Sequence, residues 1–172
     1  METGANNIAP TVNYSPSRID NLLTEKYHLS VQIGRNHFTY SLFDTLNLTY
    51  VLLRDFEFAT QEIEGNIKRI NDIIANEPLL QKIYYSSSLT FANFPSTLIP
   101  NTFYQEEEKK KVLAFNHEVY DIILTDQLQQ IEAVNVYSIP SSLLDSIQKT
   151  FPNIQIKCNS TILIEQLLLE ND

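Results

Sequence analysis

Residues 28–58 constrain the fold more than any other part of the chain. Leu29, Val31 and Ile33 alternate with polar neighbours, and so do Phe38, Tyr40 and Leu42. Successive strand side chains point to opposite faces, so each run reads as a strand with one buried face. Between them, Gly34, Arg35 and Asn36 have the length of a tight connection, and the glycine is expected to supply the positive φ of a short hairpin loop. Asp44, Thr45, Leu46 and Asn47 read as a second turn, because Asp and Asn side chains bond their own backbone. Residues 48–58 then read as a long third strand, buried on both faces over 48–53 and on one face where Arg54, Asp55 and Glu57 flank Phe56 and Phe58.

Residues 1–26, polar and punctuated by Pro10 and Pro16, are expected to be a mobile arm in which Ile19, Leu22 and Leu23 could dock as a helical turn. After the strands, Ile63, Ile67, Ile70 and Ile74 mark one face of an amphipathic helix over 60–76. Thr60 is its expected cap, Glu62 and Glu64 suit its positive end, and Pro78 helps to end it. Gly65 costs roughly 1 kcal/mol there relative to alanine. Residues 82–85 and 89–91 read as strand pieces around Ser86, Ser87 and Ser88, and Pro95 and Pro100 force 94–100 to be extended or turning. In the charge run 105–111, Glu106 and Glu107 precede Lys110 and Lys111 by four residues, the favourable order on a solvated helix. Residues 119–124 and 133–137 are strand-like, separated by the polar 126–130. Residues 141–150 read as a helix opened by Pro140 with Leu143, Leu144 and Ile147 inward, and 154–157 as a brief strand. Ser160 is the expected cap of a last helix carrying Ile162, Leu163, Ile164, Leu167, Leu168 and Leu169.

That helix is apolar around most of its girth. A surface helix needs one apolar stripe, and a patch wider than that marks a contact. The expectation is a protein partner or self-association through Ile162, Leu163, Leu167 and Leu168, or an absent continuation of the chain; the alternative is a helix central to the core. The aromatic group Tyr84, Tyr85, Phe91, Phe94, Phe103 and Tyr104 reads either as core and edge packing or as a docking surface over 91–104.

Composition narrows the function classes. With 172 residues, 43% of them apolar, the chain suits a single core-bearing domain. No run reaches bilayer-spanning length and no secretory pattern opens the chain, which implies a cytoplasmic protein. The single cysteine, Cys158, fits a reducing compartment, so the sequons at Asn47 and Asn159 read as chance matches. With 12 basic and 21 acidic side chains the net charge is −9, which repels phosphate backbones and argues against nucleic acid as a partner.

Catalytic chemistry finds little footing. His28, His37 and His117 are scattered, and no metal or cofactor is expected from them. Cys158 reads as a small half-buried strand residue, Asp121 and Asp126 as ordinary solvated turn acids, and the three glycines form no phosphate loop.

The order of three antiparallel strands, a helix, then alternating strands and helices resembles the ribonuclease H-like half-domain of actin-like ATPases. Residues 29–43 resemble its first hairpin, and residues 82–100, ending Leu98, Ile99, Pro100, resemble a strand of the bacterial PilM-like pilus-assembly members. Val134, Asn135, Val136, Tyr137, Ser138, Ile139 and Pro140, followed by a helix, Phe151, Pro152, a strand and the Ser160 helix, resemble the stretch that closes the first half in that family. Residues 27–169 as a whole are similar to the N-terminal part of the bacterial family domain of unknown function 3822. The resemblance implies an α/β, ribonuclease H-like domain over 27–172 with a mixed sheet, lacking a second half. In active members it implies a metal-holding Asp two residues before the hairpin Gly and small hydroxylated residues after it. Here Gln32 stands in the first position and Arg35, Asn36 and His37 in the others, and a neutral amide is a poor ligand for Mg²⁺. The expected role is therefore a non-catalytic interaction or scaffolding domain. The alternative is an ATP-binding or ATP-hydrolysing actin-like protein completed by a second half-domain, with Gly34, Arg35 and Asn36 near phosphate. A third reading is a fragment with no independent role.

Overall fold

In the computed structural model, which describes residues 8–15, 19, 24–59 and 62–170, the chain divides into two units, 1–88 and 89–172. The first unit holds β1 (Val12–Tyr14), β2 (Tyr27–Gly34), β3 (His37–Asp44), β4 (Thr49–Glu57) and α1 (Ile63–Asn76). The strands lie in the order β1-β4-β3-β2, each pairing antiparallel.

The alternation in 29–33 and 37–43 is realised as expected. Tyr27, Leu29, Val31 and Ile33 are buried on β2, and Phe38, Tyr40 and Leu42 on β3. Phe38 and Tyr40 lie 6.2 Å and 6.4 Å from the Phe56 ring of β4, and each buried large side chain stabilises the fold by roughly 1.5–3 kcal/mol. Asp44 organises the second turn: Oδ1 accepts from the backbone N–H groups of Leu46 (3.0 Å) and Asn47 (2.9 Å), and Oδ2 accepts from Asn47 Nδ2 (3.0 Å).

Three expectations for this unit change. The third strand is not buried on both faces at its start: Leu48 lies in the turn with φ 52°, and Leu48 and Tyr50 are exposed. An antiparallel sheet solvates one face, and an irregularity between Leu42 and Phe43 shifts the register where β4 begins. Val12–Tyr14 is not a mobile arm, for it pairs with Leu53, Arg54 and Asp55. Residues 82–85 are not strand. Pro78–Gln81 forms a 3-10 turn, the Tyr84 hydroxyl donates to the Leu79 carbonyl (2.7 Å), and the next strand, β5 (Ser86–Ala92), starts later and crosses from one unit into the other. Thr60, Leu22 and Leu23 lie outside the described residues.

On α1, Ile67, Ile70 and Ile74 are buried as the spacing requires, with Ile63 half-buried, and Ile73 and Asn66 join the buried face.

The second unit contains β6 (Ser96–Pro100), α2 (Lys109–Ala114), β7 (Ile122–Leu128), β8 (Ala133–Ile139), α3 (Ser141–Thr150), β9 (Gln155–Cys158) and α4 (Asn159–Leu169). β6, β8 and β7 form an antiparallel sheet in that order, and every residue of the central β8 is buried. Leu113 of α2 packs with Ile99, Val134 and Val136, covered further by Tyr104, Val119 and Ile123. Leu143 and Ile147 of α3 are buried, and Leu144 is half-buried. The charge run pairs Lys109 with Glu106 and Lys111 with Glu108, three residues apart rather than four. β7 starts and ends later than expected and includes Asp126, and α4 starts at Asn159 with Cys158 as its N-cap residue, so Ser160 is not the cap.

Candidate functional site

The opening hairpin is the first place to look. Ile33 pairs with Phe38, and none of Gly34, Arg35 and Asn36 has a positive φ. The glycine is needed for another reason. A Cβ on Gly34 would stand 2.0 Å from Cε1 of the His37 ring, so the imidazole rests on the bare backbone where a side chain would be. His37 Nε2 lies 3.2 Å from Gln32 Nε2, bringing together the amide that replaces the expected carboxylate and the ring that covers the turn. The buried Asn66 of α1 also meets the turn, donating from Nδ2 to the Arg35 carbonyl (2.7 Å). The Nε of Arg35 is buried and makes no hydrogen bond among the described residues. Gly34, Arg35 and Asn36 are consecutive in this turn, and the space over Gly34 is filled by the His37 ring.

A second cluster was not legible as a site. Asp126 is not a solvated turn acid: it is 9% exposed, in the middle of β7. Its Oδ2 accepts from the Cys158 backbone N–H and from Thr161 Oγ1, both at 2.7 Å, and its Oδ1 accepts from the Tyr137 hydroxyl at 3.3 Å. Asn135 Nδ2 donates to Ser160 Oγ (2.9 Å) and Thr161 Oγ1 (2.8 Å), and Cys158 Sγ lies 3.1 Å from Ser160 Oγ. Burial, followed by the Asp126 charge, pushes the Tyr137 phenol well above its ordinary value. Asp126 does from β7 what a capping side chain does from within a helix, supplying acceptors to the first turn of α4. Cys158 is buried and unpaired. The signal was present in the spacing Leu124, Asp126, Leu128, which places the carboxylate on an apolar strand face. Asp121, five residues away, does separate work. Its Oδ1 accepts from the Ser141 backbone N–H at 3.0 Å at the start of α3, and hydrogen bonds from Ser141 hold its carboxyl below the usual range.

Two other polar groups hold strands and loops in the first unit. Glu77 accepts from the Tyr40 hydroxyl (2.6 Å) and from Arg54 Nη1, and burial, then the Glu77 bond, raises the Tyr40 phenol. His28 lies between Ser86 Oγ (2.7 Å from Nδ1) and Ser88 Oγ (2.9 Å from Nε2), and its burial lowers its pKa. His117 is exposed. Among the described residues no three His, Cys, Asp or Glu side chains converge as a metal site.

The residues expected at a contact surface divide. On α4, Leu163, Leu167 and Leu169 are 56%, 59% and 65% exposed, whereas Ile162, Ile164 and Leu168 are half-buried. In the aromatic group, Phe91 and Phe94 are buried in edge contact 5.6 Å apart, and Phe94 meets Tyr120. They are core, leaving Phe103 and Tyr85 as the exposed members. Among the described residues no helix is long and apolar enough to cross a membrane.

A family model described as "Protein of unknown function (DUF3822)" matches residues 16–172. A crystal structure from Bacteroides thetaiotaomicron VPI-5482, described as a protein with actin-like ATPase fold and unknown function, is similar with a TM-score of 0.77 at 22% identity. The match covers 90% of the present chain and 60% of that one, so the chain spans less than two thirds of its length. This likeness shows an α/β fold of the actin-like ATPase type. The cytoplasmic domain of EpsL, an inner membrane component of the type II secretion system of Vibrio cholerae, matches over 76% of this chain and 53% of its own at 12% identity, but its TM-score of 0.39 carries no argument. No curated protein matches the chain.

Proposed function

The chain belongs to the family described as protein of unknown function (DUF3822), and from that footing we propose that it is a non-catalytic protein-interaction or scaffolding domain of actin-like descent. Residues 27–172 are read as one actin-like half. The observation that carries the reading is the state of the hairpin: the His37 ring lies on Gly34 and faces the Gln32 amide. A phosphate approaching that backbone meets an imidazole, and Mg²⁺ finds a neutral amide in place of a carboxylate. Interaction is assigned to the exposed leucines of α4 and to Phe103 within residues 91–104, because contiguous apolar surface marks contact sites. A net charge of −9 supports a protein rather than a nucleic acid as the partner. The single cysteine, buried and in no disulfide, supports a reducing, cytoplasmic setting.

A nucleotide-binding protein completed by a second half-domain is the competing reading, and one observation favours it: Arg35 Nε, beside Gly34 and Asn36, is buried without a hydrogen-bond partner among the described residues. Equilibrium binding of a fluorescent ATP analogue in the presence of Mg²⁺ separates the two. The proposal predicts no saturable binding. Saturable binding that disappears in Arg35→Ala would overturn it.

A further inference from the structure

We propose that the face of the β1-β4-β3-β2 sheet turned away from α1 is a docking site for a basic amphipathic helix of a partner protein. The register fixes what this face displays. Residues directly opposite each other in an antiparallel pair share a face. From one end of the sheet to the other the face therefore carries Phe43 and Tyr50, then Ser41, Leu53 and Tyr14, then Thr39, Asp55 and Val12, then His37 and Glu57. The opposite face holds the buried Phe38, Tyr40, Leu42 and Phe56, and Tyr40 bonds Glu77 at the end of α1, so α1 covers that side. Among the described residues α1 is the one α-helix of this unit. The face it leaves has an apolar half: Tyr50, Leu53 and Tyr14 are 60%, 36% and 50% exposed, and Phe43 meets Tyr50 edge-on with ring centres 5.1 Å apart. An apolar sheet face is ordinarily buried under a second layer, and contiguous exposed apolar surface marks a contact.

The charges say what covers it. Arg54 is the one Lys or Arg on the four strands, and it points to the covered face, where it bonds Tyr40 and Glu77. Asp55 and Glu57 stand on the open face. Asp55 accepts from the Thr39 hydroxyl, a neutral donor, and the Glu57 carboxylate has no hydrogen bond or ion pair among the described residues. His37, opposite Glu57, turns its ring over Gly34. The face thus runs from aromatic to acidic along β4, with two negative charges that no Lys or Arg of the sheet offsets. Strand residues advance about 3.3 Å and helical residues about 1.5 Å. On a helix lying along β4, an apolar residue over Leu53 is therefore followed over Asp55 and Glu57 by residues about four and eight positions on, which lie on the same side of the helix. Lysine or arginine there meets the two carboxylates, while the apolar residues before them cover Tyr14, Leu53 and Tyr50. A second copy of the chain is a poor occupant, because it brings the same carboxylates and its own charge of −9.

This surface belongs to the first unit and the leucines of α4 to the second, so the site is additional to the one assigned above. The test uses three fluorescent helical peptides and the full chain. One carries leucines on one face followed by lysines about four and eight positions on, one has glutamates in place of the lysines, and one has the lysines moved to the opposite helix face. Anisotropy is expected to show saturable binding of the first and binding about tenfold weaker for each of the others. Glu57→Lys and Tyr50→Ser, both at exposed positions, should each weaken the first peptide about tenfold. Leu163→Glu should leave it unchanged, so the two assignments fail separately. Equal binding of all three peptides, binding of none, or binding lost in Leu163→Glu and kept in Glu57→Lys would overturn the proposal.

Discussion

Thr161 Oγ1 donates a 2.7 Å hydrogen bond to Oδ2 of Asp126, tying the first turn of α4 to the middle of β7. The same oxygen takes the Cys158 backbone N–H, so one buried carboxylate fixes the start of a helix that has no side-chain cap of its own. Asp126→Ala would leave these two donors and the Tyr137 hydroxyl without their acceptor and is expected to cost about 2–3 kcal/mol, whereas Thr161→Val, which removes one donor and leaves Asn135 its bond to Ser160, costs about 1 kcal/mol. Urea denaturation checks both, and hydrogen exchange should place the loss in α4. Equal and small effects would mean that α4 is held by its apolar contacts alone.

Gly34 and His37 should be coupled. Gly34→Ala in the native chain forces the imidazole away and breaks its contact with Gln32, at an expected cost of about 1 kcal/mol. In a His37→Ala background the same change meets no ring and should be neutral or stabilising by about 0.5 kcal/mol, since glycine weakens a strand. A double-mutant cycle measured by chemical denaturation reads the difference directly.

Four tyrosines set the alkaline limit. Burial pushes Tyr84 up to about 12, burial and the Glu106 bond do the same for Tyr104, and Tyr40 and Tyr137 are raised as well. A phenol whose pKa is higher folded than unfolded contributes stability that is complete below the unfolded value near 10 and is lost as pH rises through the folded value. Stability should therefore fall from about pH 10 to about pH 12. The phenolate absorbance of the native protein should lag that of the urea-unfolded chain over that interval, and coincident titrations would contradict this. On the acid side, Asp44 is held below the usual range, first by the Asn47 backbone N–H, so its contribution is present above its unfolded value and is lost as pH falls.

The exposed leucines of α4 should be dispensable for folding. Leu163→Glu with Leu167→Glu is expected to change stability by no more than about 0.5 kcal/mol, because both side chains are more than half exposed. The same pair should reduce binding of a hydrophobic dye to the native chain. A large loss of stability would return α4 to the core.

Much of this fold could be read from the chain because its signals are local. The alternation through Val31 and Tyr40, the isoleucine spacing from Ile63 to Ile74, and the Asp44 turn each depend on neighbours within a few residues. What escaped depends on distant partners. Asp126 looks like a turn acid until Cys158 and Thr161, more than thirty positions later, are seen to donate to it. Leu48 and Tyr50 read as buried because an apolar run does not reveal which face of a sheet is solvated. Gly34 was assigned a turn role for its φ, when its lack of a side chain makes room for a ring three residues on.

The central claim is that this hairpin, with the His37 ring over Gly34 and the neutral Gln32 amide beside it, does not hold a nucleotide. Isothermal calorimetry of Mg-ATP titrated into the full chain tests that claim most directly. The account predicts only heats of dilution at every concentration reached. A saturable isotherm with micromolar affinity, weakened by Arg35→Ala, would contradict it.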